Sequence, residues 1–341
     1  MHGTVHLFDR LPQVARPVAP RGGAAAPSRQ APLIGVIRNL RSHRQATDLP
    51  AWHGRATLLV ETPDERSELQ DVLARFAELR VDYLAVVGGD GTVRDVLTCG
   101  EGYFGESWPP LIVVPSGKTN ALAVDLGLPT KWTLEQALEA AAAGRIEQRR
   151  PLVVAQRDNA DARVQGFVFG AGAYVSAIQL GQRAHDKGAF NNLAVAVTAA
   201  WAFLQTLFGG AGNVWRRGTP IRAFDVEGHE LAHSGFGRRD QRHLIFASTL
   251  GRFPAGCRPF GNLSEGLRAA VIDSTNPGLL LRVPLIFRGL GSERMPKVGY
   301  HVVRAEGLQV DLGERFILDG EAFPAGRYRL SLGPKLRFVV P

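Results

Sequence analysis

The segment Val86-Val87-Gly88-Gly89-Asp90-Gly91-Thr92-Val93 runs an apolar strand into a glycine-rich turn holding one carboxylate. Glycines after a strand let backbone N–H groups approach an anion, and a helix starting at Thr92 would aim its positive end at the same spot. A phosphate suits that cradle, and a side chain at residue 89 would occupy its space. The carboxylate is the odd member, because it would repel a phosphate. Asp90 is suited instead to a metal, a substrate hydroxyl or that hydroxyl's proton. A turn that merely needs glycine would carry the same letters, so other stretches must decide.

Two do. Pro115-Ser116-Gly117-Lys118-Thr119-Asn120 follows a second apolar run, and Arg315-Phe316-Ile317-Leu318-Asp319-Gly320-Glu321 delivers two carboxylates either side of a glycine. Asp-Gly alone also makes a good hairpin turn. Familiar phosphate motifs fail letter by letter. A P-loop ending in Gly117-Lys118-Thr119 needs glycine at 112, which is Ile112, and a dinucleotide fingerprint from Gly89 needs a small residue at 94, which is Arg94.

The elements that must position these residues alternate. Apolar runs at 33–37, 58–60, 83–87 and 111–114 read as buried strands. Between the second and third, Leu69, Val72, Leu73, Phe76 and Leu79 recur at helical spacing over 64–79. Alternating strands and helices predict a parallel sheet with its loops gathered at the carboxyl edge, where Asn39, Thr62, residues 88–92 and residues 116–120 would meet. Beyond an alanine-rich helix ending near Gly144, short apolar runs at 152–155, 166–169, 243–247 and 279–283 are divided by Gly, Pro and charged turns, which predicts a mainly antiparallel second domain. The expected division is a flexible leader over 1–30, an α/β domain over 31–150, a β-rich domain over 151–314 and a C-terminal segment, 315–341, that returns to the first site.

The 341 residues suit two domains, and 45% apolar content is ordinary for a globular chain. Cys99 and Cys257 lack metal-ligand spacing and imply a reducing cytosol without a disulfide. A net charge of +8 favours anionic partners. Nucleic acid fits poorly, since neither interleaved aromatics nor a zinc-finger spacing is present. Apolar Leu7-Phe8 is too short for a signal peptide. Residues 193–208, interrupted by Thr198, Gln205 and Thr206, fall short of a membrane span and read as a buried or lipid-contacting helix.

Taken in order, the Gly-Gly-Asp-Gly-Thr loop, Pro-Ser-Gly-x-x-Asn followed by Leu126-Gly127-Leu128-Pro129, and Asp319-Gly320-Glu321 resemble the diacylglycerol kinase catalytic-domain family, which includes bacterial diacylglycerol kinases and the sphingosine and ceramide kinases. The resemblance runs over 33–341, specific in its three motifs and vague between them. It implies an ATP-binding α/β domain, a second domain of β-strands and phosphoryl transfer in the cleft between them, with Mg²⁺. Residue by residue, it implies nucleotide contacts at Asn39, Ser42, Thr62, Gly88, Gly89, Asp90, Gly91, Thr92, Ser116, Gly117, Lys118, Thr119 and Asn120. The chain departs from the family at Leu40, where proline is usual, at His43, where glycine is usual, at Lys118 for threonine and at Ala121 for aspartate. A lysine at 118 would add positive charge near the β- or γ-phosphate.

The same resemblance makes Glu321 the proton acceptor for a lipid hydroxyl, with Asp319 beside it as a metal ligand, while the sphingosine kinase branch gives the base role to Asp90; the sequence leaves that choice open. Glu265, in Asn262-Leu263-Ser264-Glu265-Gly266-Leu267, stands where the family has an aspartate at a structural metal site. The implied acceptor is the primary hydroxyl of ceramide or diacylglycerol, with Phe167, Phe169, Tyr174 and the 193–208 helix as candidate acyl-chain surfaces. The expected location is cytoplasmic and peripheral to an anionic membrane met by Arg216, Arg217, Arg238 and Arg239. Nothing in the sequence indicates a homodimer. The competing readings are an NAD kinase-like enzyme, which shares the Gly-Gly-Asp-Gly loop, and a nucleotide-binding regulator without catalysis.

Overall fold

A computed structural model describes residues 8–14, 29–39, 56–117, 119–186, 217–290 and 295–341, with 180–186 described by backbone alone. Ser42, Lys118, Arg216 and the 193–208 stretch lie outside the described residues.

The first part runs β1 (Leu33–Arg38), β2 (Thr57–Glu61), α1 (Arg66–Glu78), β3 (Tyr83–Gly88), α2 (Asp90–Phe104), β4 (Leu111–Pro115), α3 (Ala121–Asp125), α4 (Leu134–Ala142) and β5 (Ile146–Arg149). The rest runs β6 (Leu152–Gln156), β7 (Asn159–Gly166), β8 (Val168–Gly172), α5 (Ala173–Asp186), β9 (Thr219–Phe224), β10 (Gln241–Arg242), β11 (Leu244–Ser248), β12 (Leu267–Ile272), α6 (Pro277–Leu280), α7 (Val283–Phe287), β13 (Tyr300–Ala305), β14 (Gly307–Leu312), β15 (Phe316–Leu318), β16 (Glu321–Phe323), β17 (Gly326–Leu332) and β18 (Leu336–Val339).

The first sheet has the order β2-β1-β3-β4-β18-β5. Its first four strands are parallel, as apolar strands alternating with helices require. The C-terminal β18 then joins it parallel to β4, and β5 closes it antiparallel to β18. The 315–341 segment therefore does more than return a motif: its last strand completes the first sheet, which is mixed. Helix α1 buries Leu69, Leu73 and Phe76. The Phe76 ring lies over Gly35 of β1, where a Cβ would sit 2.6 Å from it, so a strand glycine makes room for an aromatic.

The second part is two six-stranded sheets, β10-β9-β14-β17-β6-β7 and β13-β12-β11-β8-β15-β16. They share one core, in which Phe169, Phe316, Phe323 and Tyr328 are fully buried. The chain crosses between the parts after β5 and after β17, and the crossings are pinned together: Arg150 Nε donates to the Gly333 carbonyl at 2.7 Å, and Gly333 N–H to the Pro151 carbonyl at 2.8 Å.

Three expectations change. Residues 8–14, assigned to a flexible leader, are docked: Leu11 is 1% exposed, Phe8 stacks on Phe323 with ring centroids 4.8 Å apart, Phe8 N–H donates to the Ala322 carbonyl, and Gln13 bridges to Ala162. Apolar residues inside a Pro-, Ala- and Arg-rich stretch suffice to anchor it. Residues 279–283, expected as a strand, fall in α6 and α7, because Asn276 Oδ1 caps the Leu279 N–H and Pro277 and Pro284 sit in first helical turns. Helix α2 begins at Asp90, earlier than Thr92, with Gly89 as its N-cap residue.

Candidate active site

Strands β1, β3 and β4 end at one edge of the first sheet, and their loops interlock. Asn39 N–H donates to the Val87 carbonyl, and Asn39 Nδ2 donates to Thr92 Oγ1 at 3.0 Å, joining the first loop to the first turn of α2. Ser116 N–H donates to the Gly88 carbonyl, and Asn120 closes its own loop by accepting from Gly117 N–H at 2.9 Å while donating to the Gly117 carbonyl at 2.7 Å. Asn120 holds a left-handed backbone (φ 49°) that Asn tolerates. Thr62 and Thr119 are exposed, Thr62 just past β2 at the same edge.

Gly89 and Gly117 touch. A Cβ on residue 89 would stand 2.9 Å from Gly117 Cα, and one on residue 117 would stand 2.6 Å from Gly89 Cα. These glycines let two loop backbones pass each other, so a side chain at 89 meets Gly117 before it meets any ligand. At Gly91 the nearest atoms to such a Cβ are those of Arg94, at 3.8 Å.

Asp90 is the first residue of α2, and its carboxylate spans to the start of α3, accepting from Ala121 N–H at 2.8 Å and Leu122 N–H at 3.2 Å. Asp319 sits in the turn between β15 and β16 in a left-handed conformation (φ 46°). Its carboxylate accepts from Phe167 N–H at 3.0 Å and Val168 N–H at 2.9 Å at the start of β8. Packing of α2 against β7 brings the two acids together: Thr98 accepts from Gln165 N–H, and Glu101 accepts from Gln165 and Arg163. Burial and the neighbouring Asp90 push the Asp319 carboxyl up to about 7, while N–H donors and Arg94 pull the other way. Asp90 is raised as well, chiefly by burial, against the pull of the Ala121 and Leu122 donors.

Two further side chains belong here. Arg94, one turn after Asp90, is buried; burial works against its charge, but Asp95, Glu321 and Asp319 offset this and hold the guanidinium protonated. It lies over the rings of Phe8 and Phe323 at 5.9 and 5.8 Å, and it is the group that links Glu321, at the start of β16, to the aspartate pair. Tyr174 packs on Phe246 at 5.5 Å; burial raises its phenol, and the Asp319 and Asp90 charges add to that. Arg94 closes the Gly88 to Arg94 loop of the family resemblance, i, i+4 from Asp90; Tyr174 was named as an acyl-chain surface, but its place beside the acids was not legible, because it depends on the β8–α5 corner. Asp125 was missed. It is fully buried, accepts from Gly251 and Arg252 N–H at 2.7 Å each and pairs with Arg149, tying α3 to the second part. A lone acid inside apolar Ala-Leu-Ala-Val-Asp-Leu was its trace in the sequence.

Other expected residues lie elsewhere. Glu265 lines a cavity of about 570 Å³ with Gln148, Arg149, Arg150 and Lys335, and that lining includes neither Asp90 nor Asp319. Phe167 and Phe169 are core residues, 2% and 0% exposed. Arg217 and Arg238 form exposed ion pairs with Glu314 and Asp240. Among the described residues the sole cluster of three or more metal-ligand side chains within reach of one another is the surface turn Asp225, Glu227 and His229, remote in sequence from every motif above. No helix among the described residues is long and apolar enough to cross a membrane.

Residues 43–153 match the diacylglycerol kinase catalytic domain family. No curated protein matches the chain. Among solved structures, a candidate diacylglycerol kinase from Bacillus anthracis str. Sterne aligns with a TM-score of 0.63 at 15% identity, over 92% of this chain and 99% of that one. A diacylglycerol kinase from the same organism aligns with a TM-score of 0.62 at 15% identity and the same coverage. At that identity the likeness is one of fold, and it spans both parts of the molecule.

Proposed function

We propose that this chain, which carries a diacylglycerol kinase catalytic domain, is an ATP-dependent lipid kinase that transfers the γ-phosphate to the primary hydroxyl of diacylglycerol or ceramide. The observation that carries the reading is the coupling of Asp90 and Asp319 across the two parts of the molecule, beside the interlocked glycine loops. Phosphoryl transfer asks for a place to hold phosphates, a counter-charge and a proton acceptor, all fixed in advance.

The loops after β1, β3 and β4 would hold the nucleotide. Asn39, Asn120 and the Gly89–Gly117 contact set their shape before ATP arrives, so little ordering accompanies binding. The acid pair fits a divalent cation: two buried carboxylates within each other's field, one of them lifted to about 7, make a site that a positive charge would relieve. Asp90 and Asp319 would hold Mg²⁺, which when bound supplies charge neutralisation on the transferred phosphate. Both acids are anchored by backbone N–H groups, which suits them to positioning. Glu321, beyond the turn and within the field of Arg94, is then the acceptor for the lipid hydroxyl proton. Tyr174 stands beside the pair on the side of the second part.

The test is a pair of conservative variants. Asp90→Asn and Glu321→Gln should each fold and each lower phosphate transfer by about a hundredfold or more, with Glu321→Gln leaving ATP affinity unchanged. Normal turnover in both would remove the acids from the reaction. Conversion of NAD to NADP with no lipid product would assign the site to an NAD kinase.

A further inference from the structure

The segment from α6 to the end of the described 217–290 stretch exposes an uncommon concentration of large apolar side chains. Leu281 is 80% exposed, Leu290 58%, Phe287 55% and Leu285 40%, all within ten residues of one another. Scattered exposed leucines need no explanation, but a contiguous ridge of this kind marks a surface that meets something apolar. The ridge is anchored from below: Leu279 and Ile286 pack with Phe260 and Met295, and Arg258 N–H donates to the Phe287 carbonyl at 2.9 Å. Its outward side chains are therefore held in place on a fixed base.

The charges carried by the segments that build it have one sign. Residues 252–264 and 274–290 carry Arg252, Arg258, Arg282 and Arg288 and contain neither Asp nor Glu. Arg252, Arg258 and Arg288 are exposed and make no ion pair among the described residues. An apolar ridge that carries exposed arginines with no ion pair among the described residues is complementary to a bilayer with anionic headgroups, and an apolar protein partner would not call for those charges.

Beside the ridge lies a cavity of about 530 Å³ lined by Arg252, Phe253, Arg258, Phe260 and Leu263. From its aromatic wall a row of rings leads inward: Phe253 and Phe260 each contact Phe246, at 5.9 and 5.5 Å, and Phe246 contacts Tyr174, whose phenol feels both Asp319 and Asp90.

We propose that residues 281–290 form the face by which this protein docks on an anionic phospholipid bilayer, setting the adjoining cavity against the headgroups. The inference deepens the lipid-kinase reading and rests on it for its biological sense, but docking is measurable without turnover. It sets the membrane contact apart from the expected Arg217, Arg238 and Arg239, of which Arg217 and Arg238 already form ion pairs.

The experiment is co-sedimentation of the full chain with phosphatidylcholine vesicles made with and without phosphatidylglycerol. The wild type should partition onto the phosphatidylglycerol vesicles and weakly onto phosphatidylcholine alone. Leu281→Asp with Phe287→Asp and Leu290→Asp should lower that partition by about tenfold or more while leaving the melting transition in place. Val226→Asp, an apolar site 45% exposed outside the ridge, should bind as wild type. Should the triple variant lose its melting transition, Leu281→Ser, at the most exposed position, still reads the effect through a smaller loss. Partition of a folded triple variant equal to wild type, or a wild type that ignores anionic vesicles, overturns the docking face. Normal vesicle binding without phosphate transfer to any lipid would instead overturn the kinase reading and leave the docking face standing.

Discussion

Asp90 and Asp319 lie within each other's field from the two parts of the molecule, each carboxylate already holding two backbone N–H groups of a neighbouring segment, Ala121 and Leu122 for one, Phe167 and Val168 for the other. The first acid opens a helix of the α/β part, and the second sits in a hairpin turn of the β-rich part. Bringing them together therefore requires the packing of α2 on β7.

That relationship has a pH signature. Asp319 is raised from the ordinary carboxylate range to about 7, so the folded state holds a proton that the unfolded chain has released above pH 4. The contribution to stability is fully present below pH 4 and is lost as pH rises through 7, which makes the metal-free protein less stable at pH 8 than at pH 5.5 through this group. Because the acids are coupled, the transition belongs to the pair. Melting curves across this range should show the decline in wild type and a flatter profile in Asp319→Asn. Mg²⁺ at pH 8 should raise the wild-type melting temperature and leave Asp319→Asn unmoved.

The two glycine contacts separate packing from ligand binding. Gly117→Ala places a Cβ 2.6 Å from Gly89 Cα and 2.9 Å from Asn120 Oδ1, and backbone cannot yield as a side chain can. It should lower the melting temperature and ATP affinity together. Gly91→Ala meets only Arg94 at 3.8 Å and should melt as wild type; a fall in its ATP affinity, read by titration calorimetry, would then report the nucleotide directly.

The docked N-terminal segment should matter to both stability and the site. Leu11→Ala removes a fully buried side chain and should cost about 2–5 kcal/mol in denaturant unfolding. Phe8→Ala removes the ring stacked on Phe323 and one of the two rings against Arg94. Its expected effect is a lower turnover number with little change in ATP affinity, since Arg94 faces the acids and the nucleotide loops are built without Phe8.

The parts of this molecule made of local periodicity were legible in the sequence. The buried strands β1, β3 and β4 and the amphipathic α1 follow from apolar spacing, and with them the gathering of Asn39, residues 88–92, Ser116, Gly117 and Asn120 at one sheet edge. Non-local pairings were not legible. Nothing in Leu336–Val339 says that β18 inserts beside β4 rather than staying with β17, because an apolar strand fits either sheet. Leu11 and Phe8 were hidden by the composition around them, and residues 279–283 by the ambiguity of a short apolar run that Asn276 and two prolines turn into helix. Asp319 was visible as a motif residue, while its raised proton affinity depends on its burial and on Asp90 across the domain boundary.

The most direct test of the central claim is transfer of labelled phosphate from ATP, with Mg²⁺, to detergent-dispersed diacylglycerol, ceramide and sphingosine, with NAD as a parallel acceptor. The account predicts label in diacylglycerol or ceramide, abolished in Asp319→Asn and Glu321→Gln. Label in NAD alone, or in no acceptor while ATP binds normally, would contradict it.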